Sequence, residues 1–244
     1  MTDAETTGRR TEIAGHLAAV RERIAAAAVA CGRDPGEVAL IAVTKTYPAS
    51  DVAILAGLGV RDIGENRDQE AAGKAAEMAA AGVEVRWHHV GQLQRNKARS
   101  VASYASFVHS VDRLALVAAL GRARAEAIAA GPVGVPLKVL IQVGLDDAEG
   151  RGGAAPDDVD ELAAAITADE SLILAGVMAV APLGEPPEPA FARLARVADR
   201  LRATYPQATM VSAGMSGDLE AAVAHGATHV RIGSALLGPR RMLG

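Results

Sequence analysis

Short apolar runs alternate eight times with alanine-rich stretches of helical spacing, and this alternation restricts the fold more than any other feature of the chain. The runs are Leu40–Lys45, Arg61–Asn66, Arg86–Gly91, Phe107–Asp112, Leu137–Gly144, Leu174–Val180, Thr209–Gly214 and His229–Ser234. Helical spacing fills 50–58, 67–82, 92–104, 113–130, 156–169, 188–204 and 217–225, and a further helix over about 11–31 precedes the first run. Strands that alternate with helices pair in parallel through right-handed crossovers. Eight such units in 244 residues predict an α/β fold, a single (β/α)8 TIM barrel spanning 1–244. An extra N-terminal helix, no second β-rich domain and disorder over 1–10 complete the expectation. An open doubly wound sheet would more often place a glycine-rich turn after its first strand. Here that turn reads Thr44-Lys45-Thr46-Tyr47-Pro48, without glycine.

Composition removes several classes of function. A net charge of −4 gives no electrostatic footprint for nucleic acid. No run approaches the ~18 consecutive apolar residues of a membrane helix, and the polar start MTDAETTGRR lacks the apolar core of a secretory signal. The single Cys31 rules out internal disulfides and fits a reducing cytoplasm; it reads as a small buried residue late in the first helix. A cytoplasmic protein is expected.

The first strand, "LIAV", runs into Lys45, at a place where charge is costly to desolvate. The chain holds four lysines (Lys45, Lys74, Lys97, Lys138) against twenty-one arginines, so a lysine at a core strand's exit stands out. Either the long stem carries the charge to water or the amine is a reagent. Lys74, by comparison, reads as a surface lysine. In a barrel, strand C-termini converge on one mouth, which gathers Lys45, Asn66, His88 or His89, "VSAGMS" (211–216) and "VRIGS" (230–234). The loops after strands seven and eight often build a phosphate site, and Ser212, Gly214, Ser216, Gly233 and Ser234 suit one. Arg231 shares the inward face with Gly233 by period two. With an amine across the mouth, a phosphorylated aldehyde fits better than a plain salt bridge. His88 and His89, being adjacent, point to opposite faces and are not joint metal ligands; one reads as pocket-lining and one as packing. No metal site is expected.

These residues resemble a known family. "AVTKTYP", "IGENRDQE", "WHHVGQLQRNK", "VHSVDR", "GVMAV" and "SAGMSGDLEAAVAHGATHVRIGSALLG" are together similar to the pyridoxal 5′-phosphate homeostasis proteins, from about residue 12 to Pro239. Such proteins resemble the barrel of bacterial alanine racemase without its second, β-rich domain. The resemblance implies that Lys45 forms a Schiff base with pyridoxal phosphate. It implies phosphate contacts from Ser212, Gly233 and Ser234 with Ser216 nearby, Arg231 beside the pyridine nitrogen, and Asn66 in the pocket. It also suggests a monomer. An arginine beside the pyridine nitrogen would weaken the ring as an electron sink and racemisation needs a second base, so a protein that holds and releases the cofactor, with apo-enzymes as recipients, is expected rather than an enzyme. A small racemase is the alternative, with Tyr47 the nearest candidate for its second base; an aldolase-like barrel is a third reading. Two positions depart from the family: Tyr47 and Arg151 stand where lysines are often found.

Overall fold

The computed structural model describes residues 3–131, 133–145 and 152–238, with side chains from residue 5 onward. Eight parallel strands follow one another around a closed barrel: β1 (Ala39–Val43), β2 (Asp62–Glu65), β3 (Arg86–His89), β4 (Phe107–Val111), β5 (Leu137–Gln142), β6 (Leu172–Met178), β7 (Met210–Ser212) and β8 (His229–Ile232). β8 closes on β1 through the register Ala39–His229 to Ala42–Ile232. The helices are α1 (Asp3–Ala30), α2 (Ala49–Gly57), α3 (Asp68–Ala80), α4 (Ala98–Tyr104), α5 (Leu114–Ala130), α6 (Val159–Thr167), α7 (Pro187–Thr204), α8 (Leu219–Ala224) and α9 (Ser234–Leu237). The described residues contain no second, β-rich domain.

The strands are apolar runs because their outward faces are covered by helices. One cluster packs β4–β7 against α4–α7, and another packs β1, β2 and β8 against α1 and α2. The barrel's inside holds a small apolar cluster, Phe107, Leu140, Ala175 and Met178, with Ile41 and Val43 of β1 also facing inward. Most barrels fill this space with branched aliphatic side chains. Here much of it is polar, and that polarity leads to the site.

α1 lies along the barrel through Ile13, Leu17, Val20 and Ile24, which recur at helical spacing and are nearly fully buried. It starts at Asp3, so residues 3–10, expected to be disordered, continue the helix. Long-range contacts account for this: Arg9 donates to Asp51 at 2.7 Å and to the Leu237 carbonyl at 3.0 Å, and Arg10 reaches the Gly57 carbonyl. Cys31 differs from expectation as well. It lies just past the helix end and is exposed, its thiol donating to the Ala27 and Ala28 carbonyls. Among the described residues no helix is long and apolar enough to cross a membrane, and no three side chains are grouped to hold a metal ion.

Candidate functional site

Period-two alternation points Asp62 on β2, His88 on β3, His109 on β4, Ser212 on β7 and Arg231 on β8 into the barrel. They join in one hydrogen-bonded column. Arg231 Nη1 donates to Ser212 Oγ at 2.8 Å and Ser212 Oγ meets His109 Nδ1 at 3.0 Å. His109 Nε2 and His88 Nδ1 are 2.9 Å apart, and His88 Nε2 lies 2.9 Å from Asp62 Oδ1. One assignment of protons satisfies every link. The Ser212 hydroxyl donates to His109, the His109 Nε2–H to His88, and the His88 Nε2–H to the Asp62 carboxylate. Both histidines are then neutral. Burial holds each below the ordinary imidazole range, outweighing Asp62 in the case of His88.

At the upper end, Arg231 is 5% exposed and its fork is filled by neutral acceptors. Nη1 also donates to the Ser212 carbonyl at 2.7 Å, and Nη2 to the Ala179 carbonyl at 2.9 Å. No described carboxylate forms an ion pair with it, and burial pushes its guanidinium down to about 10. Ser212 is fully buried. Its hydroxyl, expected at a phosphate, instead links Arg231 to His109.

The β7–α8 turn is shaped by Gly214, whose φ of +92° is open to glycine and where a Cβ would lie 2.7 Å from that of Ala222. The Met215 N–H donates to Asp218 Oδ1, and α1 fixes the turn from outside through Arg23, which donates to the Ser216 carbonyl at 2.7 Å. On β8, Gly233 ends the strand beside Val43, and Ser234 opens α9 as an exposed residue. The amide N–H groups of Ser234 and Ala235 meet no described acceptor. The mouth at β7 and β8 thus offers free donors next to a buried cation.

On the strand adjoining β8, β1 leads into the turn 44–47. Ile41 and Val43 face Gly64 on the inner side of the barrel, and alternation carries Lys45 onto the same side. Lys45 is half-buried, and its Nζ has no described hydrogen-bond or ion-pair partner. Its neighbours are tightly bound. Lys74 of α3, read from sequence as a surface lysine, is 6% exposed and donates to the Thr44 carbonyl (2.8 Å), Glu65 (2.7 Å) and Glu70 (2.7 Å). Glu65 also accepts from the Thr44 hydroxyl at 2.5 Å. Burial pushes Glu65 up, against the pull of Lys74 and Thr44. Asn66 is half-buried at the exit of β2; a Cβ on Gly91 would lie 2.3 Å from its carbonyl oxygen, so only glycine lets β3's loop pass here.

The structure therefore brings Lys45, Asn66, Ser216, Arg231, Gly233 and Ser234 to the strand C-terminal end, as expected, with Ser212 beneath. His88 and His89 do take opposite faces: His88 is buried in the inner column rather than lining a pocket. His89 is buried outside the barrel, both its ring nitrogens unbonded among the described groups. Tyr47 turns away from the mouth, its buried hydroxyl donating to the Gly238 carbonyl at 2.6 Å. Arg151 lies outside the described residues. Sequence reasoning missed Asp62, His109, Glu65, Glu70 and Lys74. Inward period-two alternation carried the signal for the first two, and the i,i+4 spacing of Glu70 and Lys74 for the last pair.

Residues 15–241 match the family described as "Alanine racemase, N-terminal domain". A Mycobacterium leprae protein named "Pyridoxal phosphate homeostasis protein" is 48% identical over 244 residues, covering 96% of this chain and 95% of its own length. Among solved structures, PipY of Synechococcus elongatus PCC7942 is 34% identical and covers 93% of this chain and 100% of its own. Its structure without PLP matches with a TM-score of 0.81, and its structure with PLP bound with 0.76. An alanine racemase from Corynebacterium glutamicum shares the fold alone, at 14% identity, a TM-score of 0.65 and coverage of 96% of this chain and 62% of its own.

Proposed function

The chain belongs to the alanine racemase N-terminal domain family and, within it, to the pyridoxal phosphate homeostasis proteins; on that footing we propose that it binds pyridoxal 5′-phosphate and serves its homeostasis, holding it on Lys45 as a Schiff base. The observation that carries the reading is the free amine of Lys45 after β1, at the barrel mouth, next to the free donors that follow the adjoining strand β8. The donor set fits the cofactor. Pyridoxal phosphate supplies an aldehyde, a dianionic phosphate and an electron-poor ring. Lys45 would be the residue that holds the aldehyde, its free amine suited to condense with it with loss of one water. The hydroxyls of Ser216 and Ser234 and the amides at Gly233–Ala235 suit a phosphate at the end of β7 and β8. Ser212 acts through Arg231, whose position it fixes. Asn66 lines the pocket on the β2 side.

Two features favour a binding protein over a racemase. Arg231, a donor at every nitrogen, would disfavour protonation of the pyridine nitrogen and weaken the ring as an electron sink. Racemisation also needs a second base, and the Tyr47 hydroxyl is committed to Gly238. The proposal includes a cytoplasmic, monomeric protein that passes the cofactor to apo-enzymes. Titration with pyridoxal phosphate and with pyridoxal tests it. The phosphorylated form is expected to bind orders of magnitude more tightly, since several charge-assisted bonds at ~1.5–3 kcal/mol each are at stake. Equal affinities would refute the phosphate site. Absence of deuterium exchange at Cα of common amino acids separates the reading from a racemase.

A further inference from the structure

Thr46, the residue after Lys45, has φ +69°, and it is the one described non-glycine residue with positive φ. A β-branched residue is an outlier in this region, because its side chain crowds the backbone. Such a conformation persists only where the surroundings over-determine it, and it gathers at functional sites.

The surroundings here come from three elements. The Thr46 N–H donates to Glu70 Oε1 at 2.6 Å. The carbonyl two residues earlier, that of Thr44, accepts from Lys74 Nζ at 2.8 Å. The same ammonium joins Glu70 and Glu65, each at 2.7 Å. The Thr44 N–H continues the strand ladder to the Gly64 carbonyl at 2.9 Å, and the Tyr47 N–H closes the turn onto the Thr44 carbonyl at 3.0 Å. Every polar backbone contact around Lys45 is thereby fixed by β2, by α3 or by the turn itself. Lys45's own amine is left free.

We propose that Glu70 and Lys74, with Glu65 behind them, are positioning residues: they hold Thr46 in the left-handed conformation and thereby aim the Lys45 side chain into the mouth. The buried lysine is the tool that leaves the other lysine free. This rests on the reading of Lys45 as the residue that takes the cofactor. A clamp of this kind pre-orients the amine, so it acts on the speed with which Lys45 reacts more than on the stability of a fold built elsewhere.

The test follows formation of the Schiff base by absorbance after mixing the full-length protein with pyridoxal phosphate. Borohydride reduction, peptide mapping and thermal melts run in parallel. Glu70→Ala removes the acceptor of the Thr46 N–H and is expected to slow labelling of Lys45 about tenfold, the factor matching the cost of a left-handed residue. Glu70→Gln keeps an acceptor and should stay within about threefold of wild type. Adding Thr46→Gly to Glu70→Ala should recover the rate to within about threefold, because glycine enters positive φ without a clamp. General loosening of the fold would lower the melting temperature and would not be rescued by a glycine. An unchanged rate in Glu70→Ala, or a slowed rate that Thr46→Gly fails to recover, overturns the proposal. Wild-type protein that takes up no label on Lys45 overturns the reading beneath it as well, and is told apart by that first control.

Discussion

Two buried cations flank the mouth of this barrel, and they are satisfied in opposite ways. On the β1–β2 side Lys74 lies between two carboxylates, Glu65 and Glu70, and its charge is neutralised on the spot. On the β7–β8 side Arg231 is equally buried but bonded only to carbonyls and a hydroxyl, with no described carboxylate in ion-pair range. A charge kept from water without a counter-ion is expensive unless something else uses it. The first cation therefore reads as scaffold and the second as half of a site. The mouth is asymmetric: Lys74 is held between carboxylates on the β2 side, whereas a free amine after β1 adjoins, on β8, a buried cation without a described ion-pair partner and free amides.

That contrast breaks first at Lys74. Lys74→Met would strand Glu65, which is 1% exposed, and is expected to cost about 3–5 kcal/mol in urea unfolding, as for a broken buried pair. Lys45→Met, which strands nothing, should stay within ~0.5 kcal/mol of wild type. Equal losses in the two variants would erase the distinction between scaffold and reagent. Arg231→Met leaves neutral acceptors unpaired rather than a charge, so a smaller loss of about 1–3 kcal/mol is expected. A loss as large as that of Lys74→Met would mean that a counter-charge had gone unrecognised.

Acid sharpens the comparison, because the column beneath Arg231 depends on neutral imidazoles. Burial lowers His88 and His109, and pushes His89 and His229 down to about 4. A histidine whose folded-state pKa is depressed contributes nothing unfavourable above its unfolded value near 6.5. Below it the unfolded chain binds protons that the folded chain refuses, so stability falls with pH. For His89 and His229 the slope approaches ~1.4 kcal/mol per pH unit each between about 6.5 and 4, and His88 and His109, lowered by burial, act in the same direction. Glu65, raised by burial, acts in the opposite direction over its own range. Urea midpoints that stay flat from pH 7 to 5 would contradict the neutral column. The smallest effect belongs to Tyr47→Phe, expected to lose about 1 kcal/mol with its bond to Gly238 while cofactor uptake is unchanged. Reduced uptake would return Tyr47 to the site.

Much of this was legible in the sequence. Alternating apolar runs and helical stretches gave the barrel and its order, because parallel strands covered on both sides must be short and apolar. Lys45, Asn66, Arg231 and the glycine–serine turns stood at strand ends, and strand ends meet at one mouth. Pairing across the barrel was not legible. His109 and Asp62 acquire their roles from partners on other strands, more than twenty residues away in the chain for each. Ser212 read as a phosphate ligand from its hydroxyl in the turn after strand seven; its bonds to Arg231 and His109, made across strands, were not legible. Lys74 looked like a surface residue because lysine usually is one, and its burial depends on Glu65 arriving from β2. The strain at Thr46 is a property of backbone angles and leaves no trace in residue types.

Borohydride reduction of the pyridoxal phosphate-loaded protein, followed by peptide mapping, tests the central claim most directly. With four lysines in the chain, every possible site of attachment is distinguishable. The account predicts a single pyridoxyl group on the peptide that holds Lys45, with Lys74 unlabelled because its amine is buried among three acceptors. Label spread over Lys74, Lys97 and Lys138, or a Lys45→Ala variant that still binds the cofactor covalently, would contradict it.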